Sequence, residues 1–204
     1  MSLRISSEFL TRGSELELET RFGVFHSVHI RSRFTEGVVM TPKSTACQND
    51  PMRLRIQSSC LFSESFGTTD CDCAAQLHES MLRVSQHGGA VVYLYEEGRG
   101  VGLADKMRAI HLQQTEGLTS PEAYSRLALK SDARCDYSFL REVLQQICGE
   151  TDWILLTNNP LKQSLVTSAG ISVAGSEPLI CDEGSPTIKA YLASKVIQFG
   201  HRIK

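Results

Sequence analysis

Three cysteines fall within the fourteen-residue stretch Cys60-Leu61-Phe62-Ser63-Glu64-Ser65-Phe66-Gly67-Thr68-Thr69-Asp70-Cys71-Asp72-Cys73, two of them in a C-x-C step. Thiolate sulfur binds zinc at about 2.3 Å, and a C-x-C pair can supply two ligands from one turn. Cys60, eleven residues upstream, can fold back to join that turn. No further Cys or His lies inside the loop. Three protein ligands with an open position is the arrangement of a catalytic zinc, and four closed ligands that of a structural one. A closed site with Cys47 as fourth ligand is the alternative, and buried cysteines packed as small hydrophobes are the plainest one.

The seven cysteines are odd in number and unevenly spaced, which reads as thiols, metal ligands and core packing rather than a disulfide framework. The 204 residues suffice for one well-cored domain, and 41% hydrophobic with 22% charged residues is ordinary for a globular chain. A net charge of −2 gives no electrostatic footprint for nucleic acid or a membrane surface. No apolar run is long enough to span a bilayer, and the N-terminal residues show no apolar signal core. We therefore expect a cytoplasmic protein with neither membrane nor nucleic-acid partners.

Residues 1–20 are polar, and Glu15 to Thr20 alternates acidic with apolar, as a strand or ordered arm. Alternation predicts a half-buried strand over Phe22–Ile30, a second over Val38–Met40 and a third over Met52–Gln57, which leads into the cysteine loop. His26 and His29 are weighed as metal ligands and read instead as packed or solvated strand histidines. A helix is expected from Ala74 to Gln86, with Leu77, Met81 and Val84 as its apolar stripe and Gly88-Gly89 as its stop. Ala90–Tyr95 reads as a buried strand, followed by a helix over 103–114 and a short one opened by Thr119-Ser120-Pro121-Glu122. Residues 129–136 are expected as a loop, Tyr137–Cys148 as a helix, Trp153–Leu156 as a buried strand, and a helix capped by Asn158/Asn159 with Pro160 in its first turn. A strand at 171–174 and a helix over Ile188–Phe199 complete the pattern. Strand and helix alternate in the second half and the first half is antiparallel-looking. The expectation is a single mixed α/β domain over residues 1–204, with a partly parallel sheet and helices packed on it.

Two strand-to-helix turns carry chemistry. Glu97-Gly98-Arg99-Gly100-Val101-Gly102 is neither G-x-G-x-x-G nor a P-loop, but its glycines let a ligand approach the backbone at a strand's carboxyl end. Thr157-Asn158-Asn159-Pro160-Leu161-Lys162 offers free N–H groups, a positive dipole end and a lysine to an anion. Asp132 and Arg134 sit two apart, so an extended segment points both the same way. The H-x-E and P-C-x-x-C pattern of a zinc deaminase is missing.

Together these motifs resemble the GTP cyclohydrolase II family, zinc enzymes that open the guanine ring at the start of riboflavin biosynthesis. The resemblance runs from about Arg55 to Lys162 and covers the cysteine spacing, Gln76-Leu77, Glu97-Gly98-Arg99, Gly102-Leu103, Lys106, Arg108-Ala109, Asp132-x-Arg134 and Leu155 to Lys162. It implies the fold of that family. It implies one Zn2+ per chain on Cys60, Cys71 and Cys73, and Mg2+ with a GTP triphosphate. Asp132 and Arg134 become the catalytic pair, Asp132 as proton acceptor and Arg134 as the group directed at the α-phosphate. Arg55, Gln76, Glu97, Gly98, Arg99, Ser120, Thr157 and Lys162 become substrate contacts, and the partner is a second copy in a homodimer. The implied reaction releases pyrophosphate, opens the imidazole ring with zinc-activated water and then releases formate.

The chain departs from the family pattern in several places. A His and a Glu are replaced by Gln57 and Ser59, Thr-Gly-Asp by Phe62-Ser63-Glu64, the Arg before the C-x-C by Asp70, and the Gly after it by Ala74. The family's catalytic Tyr aligns with Ile110, which can neither donate a hydrogen bond nor move a proton. We read Ile110, Gln57 and Ser59 as specificity-altering. The expected outcome is ring opening that stops at a formylamino-pyrimidine nucleotide. The alternatives are a complete GTP cyclohydrolase II, a related zinc hydrolase acting on another nucleotide or heterocycle, and a non-catalytic nucleotide-binding protein.

Overall fold

The computed structural model describes residues 10–32, 35–44, 51–98, 100–129 and 137–179, together with Ala193 and Val196. The described elements run β1 (Leu10–Thr20), β2 (Gly23–Ser32), β3 (Glu36–Pro42), β4 (Met52–Ser58), α1 (Leu61–Phe66), α2 (Cys73–His87), β5 (Gly89–Leu94), α3 (Leu103–Glu116), α4 (Ser120–Arg126), α5 (Ser138–Cys148), β6 (Trp153–Leu156), α6 (Pro160–Ser168) and β7 (Val173–Glu177). The strands form one seven-stranded sheet in the order β1-β2-β3-β5-β4-β6-β7. From β1 to β5 the neighbours are antiparallel, and from β5 to β7 they are parallel. The mixed α/β sheet is thus the one the strand and helix alternation predicts.

The topology places the functional residues. The chain leaves β4 for β5 on one side and later returns to β6 on the other, so β4 lies at a switch in strand order. Ligands in α/β sheets bind outside the carboxyl ends of strands at such a switch. Cys60 follows β4, Glu97 follows β5 and Thr157 follows β6, all at those ends.

Helices cover both faces of the sheet. Leu54, Ile56, Ala90, Val92 and Leu94 pack with Leu140, Val143 and Leu144 of α5 and Val166 of α6. Phe25, Val91 and Leu156 pack with Met81 and Val84 of α2 on the other face. The uninterrupted apolar run of β5 follows from this two-sided burial. Gly89 is required within it: a Cβ there meets the Arg53 carbonyl oxygen at 1.9 Å, and its φ is +126°.

Three details differ from the sequence expectation, and one expected helix lies largely outside the described residues. β2 buries residues from both of its faces rather than one: Phe25 joins one core cluster and Ile30 the other, while Val24, His26 and His29 stay partly exposed. The cysteine loop is not all loop. It holds α1, which opens with the Glu64 N–H donating to the Cys60 carbonyl at 2.9 Å and closes at Gly67 with φ +66°. The last described strand is Val173–Glu177 rather than 171–174, because pairing with β6 places Gly175 beside Ile154, and Ile171 is buried in the core ahead of it. The helix expected over 188–199 lies outside the described residues, except that Ala193 and Val196 are helical. No helix among the described residues is long and apolar enough to cross a membrane.

Candidate metal centre

Cys60 sits at the entrance of α1, Cys73 is the first residue of α2, and Cys71 lies in the loop between. Their sulfur atoms all lie within 4.8 Å of one another. The Cys60 and Cys71 sulfurs are 3.7 Å apart. Sulfurs about 2.3 Å from a tetrahedral zinc stand about 3.8 Å from each other, so the Cys60–Cys71 spacing matches such an ion and the third sulfur lies close enough to join them. The protons tell the same story. Hydrogen bonding from the Cys71 and then the Cys73 thiol, with Lys106 adding to it, holds Cys60 well below the usual thiol range. The same bonds push Cys71 and Cys73 up, because each is the donor to the Cys60 thiolate. A divalent cation would take the place of those protons.

A charged pair closes one side. The Lys106 ammonium, on α3, donates to the Cys60 sulfur at 3.1 Å and to Glu97 Oε1 at 2.5 Å. It lies 5.0 Å from the centre of the Phe62 ring. Burial works against the ammonium, but Glu97 and the Cys60 sulfur outweigh it and hold its pKa above the ordinary lysine value. Glu97 Oε2 also accepts the Leu61 backbone N–H at 2.9 Å. Gly98 turns the chain here with φ +63°, and a Cβ on it would meet Val101 at 3.0 Å and Lys106 at 3.1 Å. The Tyr124 hydroxyl donates to the Gly98 carbonyl at 3.3 Å.

Buried polar side chains line the other side. Arg55 is 6% exposed and donates to Gln57 Oε1 from Nε at 2.9 Å and from Nη2 at 2.6 Å. It also donates to the Leu156 carbonyl at 2.9 Å and to Gln76 Oε1 at 2.8 Å. Gln76 in turn donates to Asp72 at 2.5 Å. Sequence reasoning missed Glu64 and Tyr93. Glu64 accepts the Cys60 backbone N–H at 3.2 Å, Gln57 Nε2 at 2.7 Å and the Tyr93 hydroxyl at 2.5 Å. Burial raises the Glu64 carboxyl above the usual range, and burial followed by the bond to Glu64 raises the Tyr93 hydroxyl.

The remaining sequence-selected residues divide by position. Lys162 opens α6 and donates to the Ile56 carbonyl at 2.9 Å, beneath the carboxyl end of β4. The Thr157 hydroxyl accepts the Asn159 N–H at 3.1 Å, and Asn159 caps α6 through the Leu161 N–H at 3.0 Å. Ser59 is tied by its N–H to the Leu94 carbonyl at 2.9 Å. Ser120 is the first residue of α4, and Ile110 is half-buried one turn along α3 from Lys106. Cys47, Arg99, Asp132 and Arg134 lie outside the described residues. His26 and His29 are apart from the site, paired with Glu15 at 3.3 Å and Glu36 at 2.8 Å.

Residues 11–178 match the family model for GTP cyclohydrolase II. The riboflavin biosynthesis protein RibBA of Bacillus cytotoxicus is 34% identical over 195 residues, which cover 95% of this chain and 48% of that protein. RibBA of Phocaeicola vulgatus is 34% identical over 207 residues, covering 100% of this chain and 50% of that one. The chain therefore spans about half the length of the curated relatives it matches. The solved structure of RibBX, a two domain 3,4-dihydroxy-2-butanone 4-phosphate synthase from A. baumannii, is similar with a TM-score of 0.45 and 13% identity, over 87% of this chain and 42% of that one, a likeness too loose to carry an argument.

Proposed function

This chain belongs to the GTP cyclohydrolase II family, and on that premise we propose that it is a zinc-dependent hydrolase, residues 1–204 forming one domain, that takes GTP with Mg2+, releases pyrophosphate and opens the imidazole ring of the guanine. The observation that carries the reading is the convergence of three sulfurs within 4.8 Å. They stand at the carboxyl ends of the parallel strands, with cations and amides on both sides. Zinc held by Cys60, Cys71 and Cys73 supplies Lewis acidity, which activates water near neutral pH. The family and its relatives support a pathway role in riboflavin biosynthesis, and a homodimer in the cytoplasm is part of the same proposal.

The chain's own residues have these roles in the proposal. Lys106 balances the negative charge of the thiolates and holds Glu97 in place. Glu97 accepts hydrogen bonds from the guanine edge, since a carboxylate has acceptor sites beyond its bonds to Lys106 and Leu61. Gly98 and Arg99 bring backbone and cation to the nucleotide, and Ser120 adds a hydroxyl. Arg55 and Gln76 form the polar wall opposite. Thr157, Lys162 and the N-terminus of α6 receive phosphate. Asp132 and Arg134 act as the family's catalytic pair, Asp132 accepting a proton and Arg134 directed at the α-phosphate.

Ile110 sets the extent of reaction. It shares the Lys106 face of α3 at i+4, where a hydrocarbon can neither donate nor relay a proton. Water adds to C8, the C8–N9 bond breaks, N9 takes the proton, and the carbon stays on N7 as a formamide. The second hydrolysis, which frees formate, is the step that lacks its tyrosine. Mass spectrometry of zinc-loaded protein with Mg2+ and a panel of nucleotides tests the proposal. The expected product has lost pyrophosphate and kept the formyl carbon. Stoichiometric formate means a complete GTP cyclohydrolase II, and turnover of another nucleotide alone moves the substrate. Zinc binding without any turnover leaves a nucleotide-binding protein.

A further inference from the structure

We propose that Gln57 and Glu64 are positioning residues that hold both ends of the cysteine loop through one amide–carboxylate pair, an inference that rests on the zinc reading above. The parallel register sets Gln57 directly beside Tyr93 on neighbouring strands. Both side chains therefore rise from the same face of the sheet toward α1. There Gln57 Nε2 donates to Glu64 Oε1 at 2.7 Å, and the Tyr93 hydroxyl donates to Glu64 Oε2 at 2.5 Å. Glu64 Oε2 accepts the backbone N–H of Cys60 at 3.2 Å. Gln57 Nε2 reaches the carbonyl of Cys73 at 3.4 Å. The first and last cysteines of the loop are thus fixed by their backbones to two adjacent side chains.

Gln57 is suited to this and not to substrate contact. It is 2% exposed, and its amide is saturated. Its oxygen takes two bonds from Arg55, while its nitrogen serves Glu64 and Cys73. A neutral amide that accepts on one side and donates on the other can stand between a buried guanidinium and a half-buried carboxylate without leaving either unpaired. Glu64 bonds Cys60 by its backbone and leaves the sulfur to the metal. Outer groups of this kind set ligand orientation, and losing one typically weakens metal affinity about 10–100-fold.

The test is zinc affinity by competition with a chromophoric chelator, with the absorption spectrum of the cobalt-substituted protein as a second readout. Gln57→Leu and Glu64→Leu should each weaken zinc about 10–100-fold and alter the cobalt–thiolate bands. Tyr93→Phe, which removes one hydroxyl only, should give a smaller loss of the same kind and serves if the other variants do not fold. Val143→Ala is the control: it opens a cavity under α5 and lowers stability, yet should leave zinc affinity within about twofold if the effect is one of positioning. Wild-type protein that binds no zinc overturns the functional reading itself. Wild-type binding with unchanged affinity and spectra in Gln57→Leu and Tyr93→Phe overturns this inference alone, as does an equal loss of affinity in Val143→Ala.

Discussion

Replacing Lys106 with methionine removes one charge from the side of the site that it closes with Glu97. Both side chains of the Lys106–Glu97 pair are 14% exposed and their charged atoms are 2.5 Å apart. At an effective dielectric constant near 20 the gross attraction is about 7 kcal/mol, and much of it is offset by the cost of burying the two ions. The loss on mutation is therefore the cost of a largely buried carboxylate left without its cation, about 3–5 kcal/mol. For a chain of this size that lowers the melting temperature by roughly 6–20 °C. Urea unfolding followed through Trp153, the single tryptophan and a core residue, reads the change. Neutralising the abandoned partner should recover part of it. A cycle of Lys106→Met, Glu97→Gln and the double variant should show a coupling of about 1–3 kcal/mol. A single-variant loss under about 1 kcal/mol, the value of an exposed ion pair, would refute the reasoning, and so would an additive cycle.

Metal analysis should find one zinc per wild-type chain and a large loss of zinc in Cys73→Ser, while four-sulfur coordination that recruits Cys47 would make the site structural. Ile110→Tyr should gain formate release that the wild type lacks, read as formate per ring-opened product; no gain argues that the missing hydroxyl does not account for the arrest.

The parallel half of the sheet was legible because its signals are local. A buried apolar strand such as Ala90–Leu94, a following glycine turn and a striped helix need no distant partner to be recognised. Asn159 and Pro160 mark the start of α6 by capping chemistry alone. The cysteine spacing left metal binding and core packing both open, and the resemblance to the family selected the three thiols that the structure brings together. What was hidden depends on tertiary contact. α1 is six residues long, too short for a periodic pattern, and its serines and phenylalanines are mediocre helix formers. In the sequence Glu64 is only a departure from the family pattern, and its role emerges when β4 and β5 place Gln57 and Tyr93 against it. Gln57 reads as a changed pocket residue, and only the saturation of its amide identifies it as buried framework. The polar residues of β2 disguise a strand that contributes to both core clusters, because His26 and His29 find carboxylates at the surface while Phe25 and Ile30 carry the burial.

The most direct measurement uses GTP carrying 13C at C8, incubated with Mg2+ and zinc-loaded protein and followed by 13C NMR. The account predicts that the label leaves the aromatic region and stays as a formamide on the ring-opened product, with pyrophosphate released in equal amount. Label appearing as free formate at the rate of ring opening would contradict the arrest, and label remaining in intact guanine would contradict the hydrolase assignment itself.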